Sequence, residues 1–472
     1  MSEVDEETLT IDEEEVYEPP EVEGDREDIL KGPIAKTLFK LAWPIMIGNT
    51  MHVVYHLVDT FWLGQIGASA VAALSIGFPL IFFVISIGGG LTVAGTTLVS
   101  QYMGSNNQKM ANKITGQIFT SVGFISILLA ALGVILNRYI LHLMGTPGDV
   151  INQAEAYLDI VFAGIPFMFT SFIFSALLRG YGDTKTPMKL MVFTTLLNMV
   201  LDPFLIFGIG CLPRLGVRGA AIATISSRAV AGVVAIYILF TNKKGLKLER
   251  GSLKPDFKEI REIFSIGLPS AGEQSLVALG MTVLMSIVSN FGTMAVAAYG
   301  IGSRILSVVM LPSRGFSKAT TTMVGQNLGA NQEDRAEESA WVSSGIILLL
   351  LTVLALLFNL FPGAIISIFN SSPKVVEIGI SFLRIVGFSF GFLGVRFILV
   401  GSFRGSGNTM IAMILAIIAI WVIRLPLAQV LSENMGWGTT GIWWGMFISN
   451  FLTAIIAAIW FKKGSWKEKA ID

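Results

Sequence analysis

The sequence is short of charge, of cysteine and of histidine. Asp, Glu, Lys and Arg make up 14% of its 472 residues, against roughly a quarter in soluble domains. With 53% hydrophobic residues and a mean hydropathy of +0.69, that scarcity excludes an ordinary soluble globule. The single cysteine, Cys211, allows no intrachain disulfide and carries little information about redox compartment. No Cys and His cluster with metal-ligand spacing occurs, and no G-x-x-x-x-G-K-[ST] loop. A zinc centre and an ATP-driven motor on this chain are therefore not expected. The glycines of "SIGGGLTVAG" lie inside an apolar run, where close helix packing explains them better than phosphate binding. With no soluble-enzyme signature and no separate output domain, the chain is not read as an enzyme or a receptor, and neither a cofactor nor a nucleic-acid partner is expected.

What the chain has in abundance is apolar runs of about 20 residues or more, the length needed to cross roughly 30 Å of hydrocarbon. Twelve helices are expected, near 34–58, 68–99, 113–137, 150–176, 187–209, 217–241, 259–287, 294–317, 338–362, 375–400, 408–430 and 438–461. Several exceed a minimal span, so tilt or kinking follows. The chain is thus an all-α polytopic membrane protein whose first partner is the lipid bilayer.

The little charge present is unevenly placed. Residues 1–28 hold 14 acidic residues against Arg26 alone. This opening has too little apolar surface to pack and reads as a disordered tail over 1–29, not as a signal peptide, which would begin basic and turn apolar. Basic residues fix orientation. Lys109, Lys113, Lys185, Lys189, the run from Lys243 to Lys258, and Lys462 to Lys469 fall on one side. Arg179, Arg314, Lys318, Arg335, Arg396 and Arg404 are counted with the loops of that side. The opposite loops, such as "LGQIGASA" and "SENMGWG", carry none, with Arg138, Arg214, Arg218 and Lys374 as exceptions. The positive-inside rule then puts both termini in the cytoplasm.

The chain also repeats itself. "RGYGDT" at 179–184 returns as "RGSGNT" at 404–409, and "SQYMGSN" at 100–106 as "GQNLGAN" at 325–331. "IGASAVAALSIG" at 66–77 returns as "FGTMAVAAYGIG" at 291–302, and Pro44 as Pro269, each at an offset of 225. Towards the end, "GAAIAT" and "GIWWGM" match at 222. Two six-helix halves in the same orientation form parallel repeats, an architecture that builds transporters with a cavity between two rocking bundles. The expected divisions are an N-lobe at 30–242, a cytoplasmic linker at 243–258, a C-lobe at 259–465 and a tail at 466–472.

Where the halves stop matching, chemistry is expected, because an ionisable group in a span costs about 2.5–3.5 kcal/mol on insertion scales. Asp59 faces Leu284 in the repeat, and Asp202 in "LNMVLDPFLIFG" faces Leu425. Asn198 shares the face of Asp202 one turn earlier, and Thr224 sits early in the sixth helix. Two carboxylates, an amide and a hydroxyl suit Na+; the same acids can instead share a proton. In "MHVVYHLVDTFWLG", His52, His56 and Asp59 share a helical face with Asn49. The two histidines are read as relay, cavity lining or packing. Pro44 and Pro203 permit local kinks. Glu273 is a second candidate cation or substrate site, while Arg304 and Arg424 are read as loop anchors or gate elements.

"LAWPIMIGN", "DTFWLGQIGASAVAALSIGFPL", "SQYMGSNN", "LRGYGDTKTPM", "LNMVLDPFLIFG" and "GVRGAAIAT", in that order and spacing, resemble the multidrug and toxic compound extrusion (MATE) transporters, nearest their DinF-like prokaryotic branch. The resemblance covers about residues 30–465. It implies a V of two six-helix lobes and an antiporter in the prokaryotic plasma membrane, working as a monomer. The implied cargo is amphipathic, often cationic, organic small molecules, exported by inward H+ or Na+. By motif it assigns Asp59, Asn198, Asp202 and Thr224 to cation binding, Pro44 to the first-helix bend and Tyr55 to the cavity. The insertion "GCLPR" departs from the family pattern just before Thr224, and His52 stands where the family often has an amide. The alternative is a lipid-linked precursor flippase or polysaccharide exporter of the same superfamily.

Overall fold

A computed structural model describes residues 23–210, 212–468 and 471. The chain runs as α1 Glu23–Lys31, α2 Ile34–Gly64, α3 Ala68–Gly104, α4 Gln108–Leu143, α5 Gly148–Ala163, α6 Ile165–Tyr181, α7 Lys185–Phe207 and α8 Val217–Phe240. A linker with a 3-10 turn at Arg250–Leu253 leads to α9 Phe257–Ser289, α10 Thr293–Gly329, α11 Glu333–Leu360, α12 Pro362–Ser367, α13 Pro373–Gly387 and α14 Phe390–Gly405. The last stretch is α15 Thr409–Ile417, a π segment, α16 Leu425–Gln429, a second π segment and α17 Thr439–Lys462.

Among the described residues, nine helices are long and apolar enough to cross a membrane, and two bent pairs raise that to eleven. The remaining span is α2, whose apolar run is diluted by Asn49, His52, His56 and Asp59. Together they give the twelve spans of the all-α fold. The regions expected as single helices near 150–176 and 375–400 are each broken. α5 meets α6 at 49° across Gly164, and α13 meets α14 at 51° across Phe388 and Ser389. Gly164 and Ser389 are repeat-equivalent, 225 residues apart. At the first break, Pro166 in the opening turn of α6 lacks an N–H, and any Cβ at Gly164 would run into Ile225.

The two lobes have separate apolar cores that exchange their first segments. Ile34, Leu38, Leu41 and Ala42 of α2 are buried with the core of α9–α17. Ile263 and Ile266 of α9 are buried with the core of the N-lobe. The boundaries at 30 and 259 therefore divide the sequence but not the packing. The expected disordered tail needs a second correction: residues 23–29 belong to α1, and Ile29 is buried in the C-lobe core. Its carbonyl accepts hydrogen bonds from the Arg335 guanidinium, as does that of Gly32. The earlier tail lies outside the described residues.

The linker is strapped to α4. Gln117 donates to the carbonyls of Ser252 and Lys254, both at 2.7 Å, and accepts from the Asp256 N–H at 2.8 Å. Asp256 caps α9 and pairs with Lys113 at 2.7 Å, contacts that hold its carboxyl below the usual range.

At the end of the bundle that carries the termini, the lobes are clasped by the two repeated motifs. Thr97 Oγ1 donates to the Arg404 carbonyl at 2.7 Å, and Thr322 Oγ1 to the Arg179 carbonyl at 3.0 Å. Gln101 Nε2 donates to the Gly405 carbonyl at 2.9 Å, and Gln326 Nε2 to those of Gly180 at 2.9 Å and Tyr181 at 3.0 Å. The two threonine bonds are repeat partners at 225, as are the glutamine bonds to Gly405 and Gly180. The approach demands glycine: a Cβ at Gly104 would strike the Gln326 carbonyl, and one at Gly329 the Gln101 carbonyl.

Candidate ion-coupling site and central cavity

α2, α7 and α8 pack together in the N-lobe and bring the four predicted oxygen ligands to one place. Tyr55 OH donates to Thr224 Oγ1 at 2.6 Å. Asn198 Nδ2 donates to Asp202 Oδ1 at 3.3 Å, and Asp59 neighbours both Asp202 and Tyr55. Thr224 thus sits beside the acid pair despite the insertion that precedes it. Asp59 is 4% exposed, and Asn198 and Asp202 are 0% exposed. Asp59 Oδ1, Asp202 Oδ2 and Asn198 Oδ1 are buried without a hydrogen-bond partner. Buried acceptors are almost always satisfied. Three left open around two neighbouring carboxylates fit a shared proton or a hard cation such as Na+. The repeat positions Leu284 and Leu425 are buried apolar residues of the C-lobe, so the acid pair has no counterpart there.

The stripe on α2 splits by a small difference in helical angle. Tyr55 and Asp59 point into the lobe and are buried, whereas His56 is exposed with its ring edge against Phe78. His52, half-buried, stacks obliquely on His56 with centroids 4.8 Å apart. With Pro44 and Asn49 it lines a cavity of about 220 Å³.

A second cavity, about 430 Å³, lies between the lobes. It shares Gly89, Thr92, Arg179 and Lys318 with the first. Arg314, Arg396, Arg404 and Glu273 complete its charged wall. The loop placement expected for five of these is corrected here. Arg179 lies in the last turn of α6, Arg314 and Lys318 inside α10, and Arg396 and Arg404 inside α14, all lining the cavity. Glu273 is ion-paired with Arg404 at 2.8 Å. Arg424 donates to Asn450 Oδ1 at 2.7 Å, and Asn450 donates to Ser389 Oγ at 2.9 Å, which ties it to the α13–α14 bend. Arg304 is exposed on α10.

One charged neighbour escaped the sequence reading. Arg228 of α8 is 7% exposed, sits 5.1 Å above the Tyr55 ring and donates to Met191 Sδ at 3.6 Å. The insertion-cost rule that singled out Asp59 applies equally to an arginine within a span and would have found it.

Twelve spans in two clasped lobes, with polar groups buried in one lobe and a cavity between the two, define a polytopic membrane transporter of parallel-repeat type. Known proteins make the class specific. The family model described as MatE matches residues 44–204 and 269–430, one stretch in each repeat. A probable multidrug resistance protein NorM of Thermotoga maritima is 31% identical over 93% of this chain and 94% of its own. A probable multidrug resistance protein YpnP of Bacillus subtilis is 31% identical over 93% of this chain and 97% of its own. A structure described as the outward-facing conformation of a multidrug resistance MATE family transporter superposes with a TM-score of 0.86 at 24% identity, covering 93% of this chain and 98% of that one. The chain belongs to the MatE family of membrane transporters.

Proposed function

We propose that this protein is a secondary active exporter of amphipathic organic compounds. It works as a monomer in the plasma membrane with both termini in the cytoplasm. Inward movement of H+ or Na+ through Asp59, Asn198, Asp202 and Thr224 drives it. The observation that carries the reading is the trio of buried, unpartnered oxygens on two neighbouring carboxylates and the Asn198 amide. Filling that space with a proton or Na+ removes charge from the N-lobe interior, and the stability of the lobe then depends on its occupancy. Relatives named as probable multidrug resistance proteins support a drug-like cargo, and a relative named multidrug export protein MepA supports the outward direction. With both termini in the cytoplasm, a clasp closed at the termini-bearing end is what a state facing away from the cytoplasm requires. The lipid-linked precursor carrier draws support from the basic wall of the central cavity, but the acid pair favours ion-coupled export.

The test is Asp59→Asn and Asp202→Asn in proteoliposomes, with ΔpH and the Na+ gradient imposed separately. Each substitution should reduce gradient-driven transport at least tenfold, and the gradient that drives the unsubstituted protein identifies the ion. Undiminished transport in both variants would overturn the proposal.

A further inference from the structure

The central cavity is lined by basic groups that the ion-coupling scheme does not use. Arg179, Arg314, Lys318, Arg396 and Arg404 border it, against the single carboxylate of Glu273, which Arg404 already engages at 2.8 Å. Arg314 and Lys318 stand one turn apart on α10 and are both exposed towards open space. Lys318 reaches across to the other lobe, 3.5 Å from Asn49 Oδ1.

The unfilled hydrogen-bonding capacity of the walls is of one kind. Asn49 Nδ2, Arg396 Nε and Arg404 Nε are buried and have no acceptor. The wall hydroxyls of Thr92, Thr96, Ser317 and Thr321 instead spend their donors on backbone carbonyls. Beside the donors lies an apolar floor that includes Phe82, Val277, Phe397 and Val400. Arg396 extends over the Phe397 ring at 5.4 Å. Clustered cations between two membrane-embedded lobes repel one another and call for a counter-charge. Guanidinium groups meet planar or tetrahedral oxyanions with paired hydrogen bonds, which a compact ammonium cannot do.

Resting on the exporter reading above, we infer that this cavity is the subsite for an anionic head group, phosphate or carboxylate, on a ligand with an aromatic or apolar body. The adjoining volumes of about 430 and 220 Å³ suit a drug-sized molecule. The cargo is then an amphipathic anion, opposite in charge to the cationic compounds that the family resemblance implied. Binding an anion here is also compatible with an empty or protonated acid pair, because the two sites occupy different walls.

Binding and transport are tested apart. One aromatic fluorophore is prepared with a phosphate, a neutral hydroxyl or a quaternary ammonium group, and each form is titrated into the purified full chain in nanodiscs by fluorescence anisotropy. The phosphate form should bind at least tenfold tighter than the other two. Lys318→Gln and Arg314→Gln, both at exposed positions, should each weaken the phosphate form about fivefold to tenfold with unchanged melting temperature. Equal or tighter binding of the ammonium form, or unchanged affinity in both variants, would overturn the inference. Nanodiscs of neutral and of anionic phospholipid separate the sources of the anion: competition by the anionic lipid identifies the occupant as a lipid phosphate, and its absence identifies a free solute, either outcome keeping the anion site. Phosphate-selective binding without gradient-driven movement of the probe would leave the site standing and count against the exporter reading.

Discussion

Tyr55 performs two tasks with one side chain. Its ring lies 5.1 Å beneath the Arg228 guanidinium, and its hydroxyl donates to Thr224 at 2.6 Å. It therefore holds the Arg228 guanidinium and the proposed cation ligand Thr224 in register beside Asp59. Tyr55→Phe keeps the ring and deletes the hydrogen bond, which contributes about 1 kcal/mol in a typical case. Ion-driven transport should fall about fivefold, measured as gradient-driven flux in proteoliposomes, while binding of the phosphate probe stays within twofold. Thr224→Val removes the same bond from the other side. Because the two residues share that bond, the double variant should cost little more than either single one. Additive losses would mean that Thr224 acts elsewhere. At this scale the acids were legible because charge inside an apolar run is rare. Arg314, Lys318, Arg396 and Arg404 were misread for the same reason: near the end of a run, the sequence does not separate a loop cation from one turned into a cavity.

The elements carry a symmetry that the residues alone conceal. The sequence motifs "SQYMGSN" and "RGYGDT" stood out as repeats, but their partner was not evident: each bonds to the repeat copy of the other across the lobe interface. Duplication made both halves of the clasp at once. Gln326 and Gln101 each donate across the lobe interface to the other repeat's motif. Gln326→Ala and Gln101→Ala should each shift the balance towards the clasp-open state about fivefold to tenfold, on the scale of about 1 kcal/mol per bond. Faster hydrogen exchange over 97–104 and 179–182 would report both. The linker strap yields a pH prediction. Asp256 has its carboxyl lowered by Lys113 and by the Lys258 N–H. Its contribution is therefore present above the ordinary carboxylate range and is lost as pH falls through its lowered value. Protection factors over 250–258, taken relative to the intrinsic exchange rate at each pH, should be lower at pH 3 than at pH 7, and Lys113→Gln should flatten that difference. The bends between α5 and α6 and between α13 and α14 were less legible. The first has Pro166 as a marker, but the second has only Ser389, and both are settled by packing against neighbouring helices.

For the whole molecule, the two-core architecture makes the clasp the place where movement is decided. The N-lobe and C-lobe bury their apolar residues in separate cores, apart from the exchanged openings of α2 and α9. Rocking the lobes apart at the termini-bearing end breaks the hydrogen bonds of the clasp and shifts the exchanged openings of α2 and α9, a cost that a bound ion or cargo has to offset. A covalent tie across the clasp should abolish that freedom without touching either site. Ser100 and Gly325 face each other there, with a Cβ built on Gly325 lying 2.9 Å from the Ser100 Cβ. A disulfide prefers about 3.8 Å, so a shift of roughly 1 Å admits it. With Cys211 replaced by serine, the chain has no other thiol. Ser100→Cys combined with Gly325→Cys should then transport below the parent level when reduced, because the added Cβ crowds the clasp, and lose at least nine-tenths of that flux when oxidised, with recovery to the reduced level on adding a reductant. Binding of the phosphate probe should survive oxidation, because the cavity lies on the far side of the tie. Flux that persists with the disulfide formed would mean that the lobes do not part at the clasp during transport.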